Sequence, residues 1–171
     1  TYTPNGSLDT GESGNDVFTY TLSDGSATDT ATITISVTGA NDAPAASNDS
    51  NTIDISTNST LTVTDGSIKD VLTNDTDADT NDTISVTEIR TGALEGAGTS
   101  GVVGSSLTGT YGTLIMNSNG SYTYIVNTGL DDTLDKGQIV FEYFNYTVSD
   151  GTTTDTGSIV IKLQNGGQVV K

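Results

Sequence analysis

Phe18–Ile35 reads FTYTLSDGSATDTATITI, and Phe144–Ile161 reads FNYTVSDGTTTDTGSIVI; eleven of these eighteen aligned positions are identical, at an offset of 126 residues. Within the first copy, Phe18, Tyr20 and Leu22 alternate with Thr19, Thr21 and Ser23. Ala31, Ile33, Ile35 and Val37 then alternate with Thr32, Thr34, Ser36 and Thr38. A period of two marks a strand with one buried face. Between the two runs, Ser23-Asp24-Gly25 supplies the turn, so each copy is a β-hairpin.

Working outward, Thr1-Tyr2 matches Thr123-Tyr124, and Leu8-Asp9 matches Leu130-Asp131, both at an offset of 122. The four residues of difference fall around Asp132–Gly137. The chain therefore contains a repeat of about 126 residues. Residues 1–43 are expected to be the C-terminal part of one β-sandwich repeat and residues 44–165 one complete repeat. Residues 166–171 are a tail or the start of a further segment. Alone, the first part lacks half a core, which upstream sequence or another chain must supply.

The intervening sequence is also strand-like, rich in β-branched residues and punctuated by Gly and Asn-Gly. Further strands are expected at Thr52–Ile55, Thr60–Val63, Thr83–Ile89, Gly112–Met116, Ser121–Val126, Val140–Val148 and Gly157–Leu163. Gly92–Gly109 reads as a long surface loop. The fold class is all-β, and a complete repeat with this many strands fits a β-sandwich.

Composition narrows the function. Hydrophobic residues make up 32% and charged residues 16%, and the apolar ones fall in regular clusters, unlike those of a disordered chain. Twenty-two acidic residues face five basic ones, a net charge of −17. Without Lys/Arg clusters, neither nucleic acid nor an anionic membrane surface is a plausible partner. The absence of Cys and His removes disulfides, thiolate or imidazole zinc sites and His- or Cys-dependent triads. No apolar run approaches the ~20 residues of a membrane-spanning helix. The first residues, Thr1-Tyr2-Thr3-Pro4, are not a signal peptide, and the segment reads as cut from a longer chain.

Two stretches could hold a hard cation. Gly39-Ala40-Asn41-Asp42-Ala43-Pro44, followed by Asn48-Asp49, lies at the repeat boundary and offers carboxylate, amide and carbonyl oxygens, the ligands calcium prefers. A polar turn with a stiff proline has the same composition. In the second, Asn74–Asp82, the alternating Asp75, Asp77 and Asp79, with Asp82 close by, can converge on one Ca²⁺ that offsets their mutual repulsion; a solvated acidic turn has the same composition. This is not an EF-hand, because Thr80 stands where that loop needs Gly and Val86 where it needs Glu. Asp24 and Asp29, with their mates Asp150 and Asp155, read as turn-forming residues. The strand tyrosines read as packing residues.

Together, GNDVFTYTLSDGSATDTATITISVTGANDAP (Gly14–Pro44), DVLTNDTDAD (Asp70–Asp79), GTLIMNSNGSYTYIV (Gly112–Val126) and FNYTVSDG (Phe144–Gly151) resemble VCBS and cadherin-like repeats. Such repeats occur in very large bacterial surface adhesins of the RTX type, exported by type I secretion. The resemblance implies an Ig-like or cadherin-like β-sandwich in tandem repeats, an extracellular, non-enzymatic extender that is stiffened by calcium, serves adhesion or biofilm formation, and is partnered by neighbouring repeats. By that resemblance the junction residues Asn41 and Asp42 and the loop residues Asp75, Asp77 and Asp79 would carry the ions. The C-terminal Gln164-Asn165-Gly166-Gly167-Gln168 departs from the pattern, since the earlier copy has Thr38-Gly39-Ala40-Asn41-Asp42 there. Two other roles fit the residues. One is a subunit of a filament or surface layer that joins identical chains by strand addition. The other is a carbohydrate-binding module using Gly92–Gly109 or the tyrosines.

Overall fold

A computed structural model describes residues 1–4 and 8–166. Of the tail expected at 166–171, residues 167–171 lie outside the described residues. The chain divides into two compact units: Thr1–Asp42 with Ala78–Asp82, and Ala43–Asp77 with Thr83–Lys171.

The first unit is built on one hairpin, β1 (Ser13–Ser23) and β2 (Thr28–Thr38), paired antiparallel with Phe18 opposite Ile33. Asp24 closes the turn by accepting the Ser26 and Ala27 N–H groups, both at 2.8 Å. Gly25 follows at φ 90°, a left-handed conformation that costs glycine little. Its apolar alternation is as expected, yet Phe18, Leu22 and Ile33 remain 49%, 58% and 52% exposed.

The second unit is a β-sandwich. One sheet runs in the order β3 (Asp49–Asp54), β11 (Thr154–Gln164), β10 (Ile139–Ser149), β5 (Ser85–Thr91), β6 (Ser100–Gly101). The other runs β4 (Thr60–Val63), β9 (Tyr122–Val126), β8 (Gly112–Met116), β7 (Ser106–Thr108). A four-residue helix, α1 (Leu130–Thr133), precedes β10. The pairing of β3 with β11 is parallel; the other strand pairs are antiparallel. Inward residues of both sheets form one core: Ile89, Leu114, Met116, Tyr124, Phe144, Ile159 and Ile161 are fully buried in it.

The stretch Gly92–Gly109 is not the plain surface loop expected. It contributes β6 to one sheet and β7 to the other. Its first turn is held by the buried Asn145, whose amide donates to the Gly92, Leu94 and Ala97 carbonyls and accepts from the Gly96 N–H. Two- and three-residue strands are too short to show a period, so partner strands decide them.

Candidate metal centre

In the second unit, the polypeptide leaving the junction passes Ser47 and Asp49 and enters β3 beside β11. Asp75 arrives from the loop after Val71, and β10 supplies Tyr146. The Tyr146 hydroxyl lies 2.9 Å from Asp49 Oδ2, 2.9 Å from the Ser47 carbonyl, 3.2 Å from the Val71 carbonyl and 3.4 Å from both Asp75 carboxylate oxygens. A phenol has one proton to donate, so several acceptors crowd around a single donor. Asp75 also accepts the Ser47 N–H at 2.7 Å. The Asn74 amide, oriented with its nitrogen inward, reaches Asp49 Oδ1 at 3.3 Å.

This oxygen cluster is expensive as it stands. Loss of water on burial pushes the Asp49 carboxyl up to about 7, aided by the charges of Asp75 and Asp70. Burial likewise pushes Asp75 up to about 6, with Asp155 and Asp70 adding repulsion. Burial, followed by the charges of Asp49 and Asp75, also raises the Tyr146 phenol. Each cause disfavours added negative charge, and a divalent cation would oppose all of them.

Neighbouring carboxylates have structural duties. Asp70 is buried and accepts the Gly66 and Leu72 N–H groups, both at 3.0 Å. Asp155 accepts the Ala46 N–H at 2.9 Å and Asn48 accepts the Ser158 N–H at 2.8 Å, so β11 grips the junction segment at two points. Asp150 repeats the turn of Asp24, accepting the Thr152 and Thr153 N–H groups.

The remaining candidate residues divide between the units. Asp79 belongs to the first unit and is only 1% exposed. Its carboxylate accepts the Thr10 N–H and the Asp42 N–H, each at 2.7 Å, and the Thr10 hydroxyl at 3.0 Å. It thus ties together the two ends of the segment that carries β1 and β2. The Asp82 N–H closes a turn onto the Asp79 carbonyl at 3.0 Å, and Asn41 donates to the Asp42 carbonyl at 2.5 Å. Asp77 falls in the second unit, half-buried. Among the described residues, no three Asp or Glu side chains converge into a ready-made metal cage. The donors that do meet, two carboxylates and two main-chain carbonyls, are of the kind calcium binds.

The composition of the repeat boundary picked out Asp49 and acidic spacing picked out Asp75, but neither pointed to Tyr146, Asp70 or Asp155. Tyr146 sits at an inward strand position indistinguishable from a packing tyrosine. Only the fold, bringing residues 71 and 97 positions apart onto one hydroxyl, reveals its role.

Residues 41–165 match the family model of the bacterial cadherin-like domain. The comparison with curated proteins finds no match.

Proposed function

This chain belongs to the bacterial cadherin-like domain family, an adhesion-type structural fold, and from that premise we propose that it is an extender repeat of a bacterial extracellular adhesin. In this reading the sandwich is the load-carrying body. Calcium stiffens the junction and the acidic loop, and the array serves cell adhesion or biofilm formation. No helix among the described residues is long and apolar enough to cross a membrane.

The observation that carries the reading is the meeting of Asp49 and Asp75 at the Tyr146 hydroxyl. Here the segment entering the sandwich and the Asn74–Asp82 loop present repelling oxygens to the same point. Asp49, Asp75 and the Ser47 and Val71 carbonyls would hold one ion, with Asp77 and water completing its shell. Asn41, Asp42, Asp79 and Asp82 would serve the first unit. Each bound ion would supply positive charge and cross-link segments that otherwise repel. Extracellular modules bind at a Kd of ~10⁻⁴ to 10⁻³ M. Isothermal titration calorimetry with CaCl₂ should show saturable binding in that range. The Asp49→Asn/Asp75→Asn double variant should lose one site, and no heat of binding in the parent chain would remove the calcium from the proposal.

A second reading rests on one cleft of about 350 Å³, lined by Thr91, Gly92, Thr108, Gly109, Phe141 and Tyr143. Phe141 and Tyr143 are 48% and 40% exposed, and their rings lie 6.4 Å apart. Such a pair offers a stacking platform to a sugar ring. Glycan-array binding that Phe141→Ala and Tyr143→Ala abolish would favour a carbohydrate-binding module; a silent array leaves the spacer role.

A further inference from the structure

The internal repeat shows what the first unit is shaped to receive. β1–β2 and β10–β11 pair in the same register at an offset of 126: Phe18 opposite Ile33 corresponds to Phe144 opposite Ile159. The inward mates Phe144, Tyr146, Val148 and Ile159 are 0–1% exposed, whereas Phe18, Tyr20, Leu22 and Ile33 are 42–58% exposed.

The likeness extends beyond the hairpin. Tyr2, the mate of Tyr124, meets Phe18 edge to face at 6.1 Å and 79°; Tyr124 meets Phe144 at 6.2 Å and 66°. The Tyr2 hydroxyl donates to Asp16, as the Tyr124 hydroxyl donates to Glu142, the mate of Asp16. The first unit therefore carries the closing elements of a sandwich in their working arrangement. Phe18, Tyr20, Leu22 and Ile33 thus present four large, half-exposed apolar side chains on one face, and a contiguous apolar patch rimmed by polar residues marks an interaction site. The two strands form a sheet of their own, so both outer edges are open among the described residues.

We propose that the inward face of β1–β2, together with Thr1–Thr3, is a docking surface for a polypeptide segment equivalent to residues 44–122 of this chain, a cadherin-like partner lacking its own closing hairpin. The second unit dictates the pairing. As Ile159 pairs with Asp49 in parallel, Ile33 receives the partner's equivalent of Asp49 on the open edge of β2. As Phe144 pairs with Thr91 in antiparallel fashion, Phe18 receives the equivalent of Thr91 on the open edge of β1. An identical second chain does not suit, because its β3 and β5 are already paired with its own β11 and β10. This inference is independent of calcium, and its test runs in chelator.

The test extends the whole chain. Residues 44–122 are placed directly before Thr1, a junction that follows from the match of Thr1-Tyr2 to Thr123-Tyr124. Hydrogen exchange is then compared between the natural and extended chains. Amides of Ser13–Ser23 and Thr28–Thr38 should slow by ~100-fold or more, toward the rates of Ile139–Ser149 and Thr154–Gln164. Phe18→Asp in the extended chain should abolish that gain and leave exchange in residues 139–164 unchanged. Unchanged exchange of the first hairpin on extension overturns the proposal. So does a natural chain in which this hairpin is already protected in step with a concentration-dependent rise in mass, since that assigns the face to a second copy.

Discussion

The rings of Tyr2 and Phe18 meet edge to face at 6.1 Å, and Tyr124 and Phe144 repeat the meeting at 6.2 Å. The same pair thus occurs once in a closed core and once on an open face. The surroundings, not the pair itself, decide what each ring contributes to stability.

That contrast predicts unequal costs for one substitution. Phe144→Ala empties a fully buried site and should cost ~3–5 kcal/mol in urea unfolding. Phe18→Ala, at a position 49% exposed, should cost less than ~1 kcal/mol in the same chain. Equal losses would mean that the first hairpin already has a closed core.

Close packing between β8 and β9 gives a second prediction. A Cβ at Gly112 would stand 2.4 Å from the Tyr124 ring and 2.5 Å from the Ile125 carbonyl. Gly112→Ala should therefore cost ~1–3 kcal/mol by overpacking. Gly129→Ala, where a Cβ meets nothing within 4 Å, should show only the smaller penalty of its positive φ. Denaturant midpoints of the two variants distinguish the effects.

The strand architecture was legible because alternation in Phe18–Val37 and Val140–Leu163 records one inward face. β6 and β7 were not legible, since two or three residues carry no period and Ile89, Leu114 and their neighbours choose the register. At the site, Asp49 stood out by its place at the repeat boundary and Asp75 by acidic spacing. Tyr146 did not, because its hydroxyl gains meaning only where the fold brings it within hydrogen-bond reach of both carboxylates. Asp155 looked like a turn residue, as its mate Asp29 does. Its hydrogen bond to the Ala46 N–H depends on the return of the chain from 109 positions away.

Alkaline titration tests the core tyrosines. Burial pushes the Tyr122 phenol up to about 12, and burial with the nearby Glu142 charge pushes Tyr124 higher still. Their unfolded pKa is ~10. Since the folded values are raised, the stability these groups contribute is fully present below pH ~10 and is lost as pH rises through about 12. Absorbance of the seven tyrosines should therefore rise in two stages, exposed rings first. The second stage should coincide with loss of the far-UV β signal. A single stage that precedes unfolding would contradict the burial of these hydroxyls.

Neutralising the carboxylate pair should have opposite effects in chelator and in calcium. In EDTA, Asp49→Asn or Asp75→Asn removes a repelling buried charge and should leave the melting temperature unchanged or raised. In calcium, each variant should lose most of the ion's stabilisation, so it melts below the parent chain. Circular dichroism melts of the three chains in both buffers check this.

The most direct test of the calcium-stiffened repeat is the melting temperature of the intact chain in EDTA against ~10 mM calcium, about 100-fold above a Kd of ~10⁻⁴ M. Each occupied site should then add about 2.7 kcal/mol, raising the transition by several degrees. Superimposable melting curves in the two buffers would contradict the account.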